Sequence, residues 1–186
     1  MIHMSRISAV LLAAWALGAT ACGASTVTVP KPTPSVTVSK KATGSVKLDL
    51  DSITTKTVCS KPKDLPELCV ARFRGAFEEG LQEMLAGFVE AGQGNAYQAT
   101  FKLLEFTHAP ASGDAQAGAQ AATVALAWRF TLNDPSGRPV AALDERTEGP
   151  TPVTDWSNPD PAVVALVNAV LEKIGTVLGA ASWSSP

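Results

Sequence analysis

The chain has 186 residues, 46% of them hydrophobic and 17% charged, with a formal charge of −2. That length and apolar content suit one domain with a sizeable core, and exclude a disordered chain or a polytopic membrane protein. Removing Arg6 with a cleaved leader leaves 14 basic against 17 acidic residues, or −3, so the basic footprint of a nucleic-acid binder is missing.

Residues 1–21 have the three zones of a signal peptide: Arg6 with His3 in the n-region, the apolar run from Ile7 to Ala19, and small residues leading to Cys22. The apolar run, about 13 residues, is shorter than the roughly 20 a helix needs to cross a bilayer, so the segment reads as a leader and not a permanent span. Met4 is an alternative start. Ala19-Thr20-Ala21-Cys22 resembles the lipobox of bacterial lipoproteins, with Ala19 where that motif prefers Leu. The resemblance implies that Cys22 is acylated and becomes the first mature residue. Ala19-Thr20-Ala21 also satisfies the Ala-x-Ala rule of ordinary cleavage, which would release a soluble chain beginning at the same cysteine.

Three cysteines are an odd number for an exported chain. A lipid on Cys22 leaves Cys59 and Cys69 as an even pair for a disulfide in an oxidising compartment; the alternative is two free thiols, with Cys69 on a helix face. Residues 22–44, rich in Thr, Val, Ser, Pro and Lys, read as a lipid anchor and an extended tether. Lys31, Lys40 and Lys41 on it are solvated charges or contacts to anionic headgroups.

A single globular domain is expected over residues 45–180. Val46, Leu48 and Leu50 alternate with Lys47, Asp49 and Asp51, predicting a strand over 45–53. Asp64-Leu-Pro-Glu67 carries helix-start chemistry, and the stripe of Cys69, Phe73, Ala76, Phe77, Met84, Leu85 and Phe88 predicts a helix to about Val89, stopped by Gly92 and Gly94. Tyr97 to His108 is the next strand. Its apolar phase passes from Tyr97, Ala99, Phe101 and Leu103 to Leu104 and Phe106, which predicts a bulge. An exposed loop over 111–120 leads to a strand over Thr123–Leu132. Asn133-Asp-Pro-Ser-Gly137 is turn chemistry, predicting a hairpin into a strand from Val140 to Glu148. A Pro-rich loop follows. Asp160-Pro161 then starts a final helix whose stripe is Val163, Val167, Val170, Leu171, Ile174 and Leu178. Residues 181–186 read as a flexible tail. The expected fold is α+β in the order β-α-β-β-β-α: a four-stranded antiparallel or mixed sheet with both helices on its apolar face.

The segment Val124-Ala-Leu-Ala-Trp-Arg-Phe-Thr-Leu-Asn-Asp-Pro-Ser-Gly137 and the closing helix resemble small α+β lipoproteins that assist envelope transport, such as the lipopolysaccharide-assembly lipoprotein LptE and the auxiliary lipoproteins of lipid-trafficking ABC systems. The resemblance implies binding to a partner protein or lipid, with no catalysis, and assigns no individual residue.

Chemistry-bearing residues are sparse. His108 is the one imidazole outside the leader, and no nucleophile or acid is spaced to serve it, so it reads as a surface or turn histidine. No metal-ligand spacing and no phosphate cradle are present in the sequence, so no cofactor or metal is expected. Asp49 and Asp51 share a strand face, as paired carboxylates of a hydrolase or calcium site would, but alternation alone explains them. Asp144 to Glu148 is an acidic patch partly balanced by Arg146, an exposed strand or a docking patch for a basic partner. Trp156, in a proline-braced loop, and Trp183, in the tail, are the candidate partner-binding residues; each can instead fold back onto the domain. These observations lead to a non-enzymatic envelope lipoprotein that binds a partner protein or lipid and assists transport or assembly. The alternative is a soluble secreted binding or inhibitor module. Gly23 lacks the Asp of inner-membrane retention, so the outer membrane is expected where there are two.

Overall fold

The computed structural model describes residues 24–36, 39–50, 57–111 and 121–183. The leader, Cys22, Asp51 and most of the 111–120 loop lie outside the described residues. Strands β1 (Ser25–Thr28), β2 (Ala42–Asp49), β3 (Thr57–Ser60) and β4 (Leu68–Ala71) precede helix α1 (Phe73–Phe88). Strands β5 (Val89–Pro110), β6 (Ala122–Asn133) and β7 (Pro139–Glu148) then lead to helix α2 (Asp160–Ala180).

The expected sheet is present and mixed, in the order β2-β5-β6-β7, with β2 parallel to β5 and the rest antiparallel. One four-stranded sheet is not the whole architecture, however, because β1, β4 and β3 form a second, three-stranded sheet. Two expectations fail there. The segment read as a tether enters the fold: β1 runs parallel to β4 with Ser25 opposite Leu68, and Val27 and Val29 are fully buried. Its alternating Thr-Val-Thr-Val is a half-buried strand, whose burial offsets the ordering cost that a solvated linker avoids. The predicted helix also starts nine residues late. Leu68, Cys69 and Val70 are buried in the central strand β4, as a contiguous apolar run in the middle of a sheet requires. The helix begins only after Arg72, whose backbone takes φ 63° to turn the corner.

Residues 29–36 and 39–41 lie along the helix pair as a strap. Thr33 N–H donates to Asn168 Oδ1 at 3.1 Å and Ser35 N–H to Glu172 Oε1 at 3.2 Å, tying it to α2. Close approach is possible because Gly80 and Gly175 lack side chains: a Cβ on Gly80 would lie 2.9 Å from Pro32, and one on Gly175 2.7 Å from Val36. Lys31 pairs with Glu83 at 2.6 Å, and Lys40 Nζ donates to the Val89 carbonyl at 3.2 Å and also to that of Ala86. These lysines are engaged with α1 and its C-terminal end.

Between strap and sheet, α1 packs on β2 and β5, and α2 on β6 and β7. Every residue of the predicted α2 stripe is buried. The helix is long and apolar enough to span a membrane by composition, but its apolar stripe faces β6 and β7, which accounts for that character. Aromatic rings link the layers, with Phe77 on Phe101 at 4.5 Å and Phe101 on Trp128 at 6.1 Å. The strand after α1 begins at Val89, well before Tyr97, so Gly92 lies inside β5 and does not end the helix. The hairpin is as expected: Asp134 Oδ1 accepts N–H bonds from Ser136 and Arg138 at 2.8 and 2.9 Å, and Gly137 takes φ 82°. Hydrogen bonds from the Ser136 hydroxyl and these amides hold the Asp134 carboxyl below the usual carboxylate range.

Candidate functional site

The predicted bulge sets the local geometry of the candidate site. Leu103 pairs with Trp128 and Glu105 with Ala127, which leaves Leu104 without a partner on β6. The inward phase passes to Phe106 and His108, but Leu104, expected to join it, turns outward and is 51% exposed, a large hydrophobic side chain left to solvent. Beside it lies a shallow groove of about 520 Å³ between the bulged half of β5 and the end of β3, bordered by Val58, Cys59, Pro62, Leu104 and His108.

Cys59 and Cys69, directly opposite on β3 and β4, are joined by a disulfide with Cα atoms 4.0 Å apart. With Glu67 they are a geometric metal-ligand cluster, all ligand atoms lying within 4.8 Å. Because the two sulfurs are bonded to each other, only the carboxylate remains to coordinate.

His108 is not a surface histidine: it is only 3% exposed. Its Nε2 lies 2.9 Å from the Pro66 carbonyl, which can only accept, so Nε2 carries the proton. Nδ1 is buried and has no hydrogen-bond partner among the described residues. Burial pushes the imidazole pKa below its ordinary value, against the upward pull of that carbonyl. The ring is therefore neutral in the fold and positions the Pro66 loop.

Unfolded His108 takes up a proton near pH 6.5 and the folded ring resists it, so stability is full above that pH and declines as the pH falls through it. We expect a lower Tm at pH 5.5 than at pH 7.5, and a smaller difference in His108→Gln, which can still donate to Pro66. An unchanged pH dependence in the variant would show that His108 is not the responsible group.

Trp156 stands half-buried with its ring 5.6 Å from that of His108. Its carbonyl accepts the Ser25 hydroxyl at 2.9 Å, and Asp155 Oδ1 closes the turn by accepting Ser157 N–H at 2.9 Å. The Ser157 hydroxyl and that amide hold the Asp155 carboxyl below its usual range. Trp183, expected in a flexible tail, stacks on Phe88 at 5.8 Å, and its Nε1–H donates to the Leu178 carbonyl at 3.0 Å. The two candidate tryptophans do not form one site: Trp156 meets His108 near the C-terminal end of β5, and Trp183 meets Tyr97 in its middle, 11 residues away. The acidic patch is largely answered locally, with Asp144 paired to Arg129 and Glu145 to Lys173 at 2.8 Å. Exposed pairs of this kind contribute about 0–1 kcal/mol each and leave little charge for a basic partner.

The Leu104 groove escaped the sequence reading, although the phase change at Leu103-Leu104 was its signal. The burial of His108 depends on Pro66 and Trp156, both distant in sequence, and had no local signal.

Neither a family model nor a curated protein matches the chain. Among solved structures it is similar to a Xanthomonas campestris protein of the family DUF330, with TM-score 0.52 and 10% identity over 82% of this chain and 93% of that one. It is also similar to a minor lipoprotein from Acinetobacter baumannii, with TM-score 0.39 and 14% identity over 75% of this chain and 93% of that one. The first likeness shows a shared fold; at the lower score of the second, nothing is drawn from it.

Proposed function

We propose that the chain is a non-catalytic lipoprotein of the bacterial cell envelope, held to a membrane by lipid on Cys22, which binds a partner protein along the bulged half of β5. The observation that carries the reading is Leu104. It is a large apolar side chain set outward by a bulge on a disulfide-braced, packed scaffold, beside an open groove. The groove is shallow and rimmed by Lys61, Glu105 and Thr107, which suits a protein segment better than an acyl chain, for which an enclosed pocket is the usual container. The helix pair, the other surface open to a partner, has the strap along it. A role in envelope transport or assembly follows the resemblance of residues 124–137, and the membrane address follows the lipobox-like Cys22.

Leu104→Asp tests the docking surface without touching the core. In detergent extracts of membranes, the wild-type chain should retain a stoichiometric envelope protein. The variant should hold it at least about tenfold more weakly, the loss expected of a central apolar anchor. Equal retention by both chains would remove Leu104 from the interface and the reading with it.

A further inference from the structure

We infer that the lipid on Cys22 seats the domain directly on the bilayer, with the end formed by Ser25, the Lys61–Glu67 loop and the Trp156 loop against the headgroup layer of the membrane that holds the anchor. This rests on the lipoprotein reading above and deepens it. As an extended tether, residues 22–44 would let the domain stand about 70 Å off the membrane, at about 3.1 Å per residue. Folded β1 removes that freedom. Ser25 N–H donates to the Glu67 carbonyl at 3.0 Å and Ser25 Oγ to the Trp156 carbonyl at 2.9 Å, so position 25 is fixed to the domain. Cys22 lies three residues before it, and no path of that length exceeds about 11 Å. The headgroup layer is itself about 6 Å thick, so the surface around Ser25 cannot stand clear of it.

Three loops surround this point. Ser60 and Ser25 both pair with Leu68, placing the Lys61–Glu67 turn beside the entering chain; His108 ties Pro66 to the end of β5; and Val153 bridges Ala122, bringing in the loop of Trp156. Half-buried Trp156, with its polar loop, suits the water–lipid boundary, where tryptophans gather. Charge does not drive the contact: Lys61 pairs with Glu67 at 3.8 Å, Lys63 is followed by Asp64, and the Trp156 loop carries Asp155 with no basic residue. Attachment is therefore independent of anionic lipid. The opposite end carries the Asp134–Arg138 hairpin and Trp183. On β5, His108 under Trp156 and Tyr97 under Trp183 are 11 residues apart, about 35 Å along a strand. Leu104 lies four residues from His108, so a protein docked there reaches close to the same bilayer.

The two tryptophans report the orientation. The lipoprotein purified from membranes is first weighed intact, then placed in phosphatidylcholine vesicles with acyl chains brominated near the headgroup. The W183F chain, which keeps Trp156, should lose fluorescence; the W156F chain, which keeps Trp183, should not; and added anionic lipid should change neither. Hydrogen exchange of the unsubstituted chain gives the second reading, with residues 61–67 and 154–158 slowed on vesicles and residues 134–138 unchanged. A mass without lipid on Cys22 would overturn the lipoprotein reading and this inference together. A lipid-bearing chain in which Trp183 is quenched, or in which neither tryptophan responds and the loops exchange as in detergent, would overturn the inference alone.

Discussion

Trp128→Ala should destabilise the domain by about 3–5 kcal/mol, the range of buried aromatic truncations. Trp128 is fully buried at the centre of the four-stranded sheet, against Phe101. Its Nε1–H donates at 3.0 Å to Thr147 Oγ1, itself on a residue only 3% exposed. Truncation therefore opens a large cavity between β5, β6 and the helices, and also orphans a buried hydroxyl. Total stability of a domain this size is about 5–15 kcal/mol, so the variant should stand near its limit. Trp128→Phe keeps most of the volume and loses only the hydrogen bond, at a cost of about 1–2 kcal/mol. Urea unfolding of the mature chain orders the three proteins; a tryptophan-to-alanine loss below that of the phenylalanine variant would contradict this core.

Opening the disulfide should cost about 2–3 kcal/mol, the chain-entropy value for a loop as short as the separation of 10 between Cys59 and Cys69. The consequence is local as well as global. This bond closes the β3–β4 pair, and β4 is the strand on which β1, and so the entering chain, is paired. Reduction should therefore loosen Ser25–Thr28 before the four-stranded sheet. Cys69 is buried and Cys59 exposed, so Cys69→Ser should be worse than Cys59→Ser, which leaves the new hydroxyl in water. Thermal unfolding with and without a reducing agent checks both statements; coincident curves would show that the bond contributes nothing.

The four-stranded sheet and its helices were legible because each buries one face, and one-faced burial leaves a period in sequence. Val124, Leu126, Trp128, Phe130 and Leu132 alternate and are all buried, and the α2 stripe keeps its helical spacing. The second sheet was not legible, because its register is non-local. Ser25 meets Leu68, 43 positions on, and prolines after Val29 disguise the short alternation of β1. Asp64-Leu-Pro-Glu67 imitated a helix start next to a run whose burial on both faces marks a central strand. The candidate site was half legible. The phase change at Leu103-Leu104 announced a bulge, but whether the extra side chain turns in or out depends on packing that the local pattern does not record. Trp156 and Trp183 stand out in the sequence, but their packing against His108 and Tyr97, 11 residues apart on β5, is a property of the assembled fold.

If, as proposed, the folded domain begins almost at a lipid on Cys22, the mass of the N-terminal peptide from the native, membrane-extracted protein will show it. The expected peptide starts at Cys22 and is heavier by a thioether-linked diacylglycerol. A peptide starting at unmodified Cys22, or one still carrying residues of the leader, would contradict it.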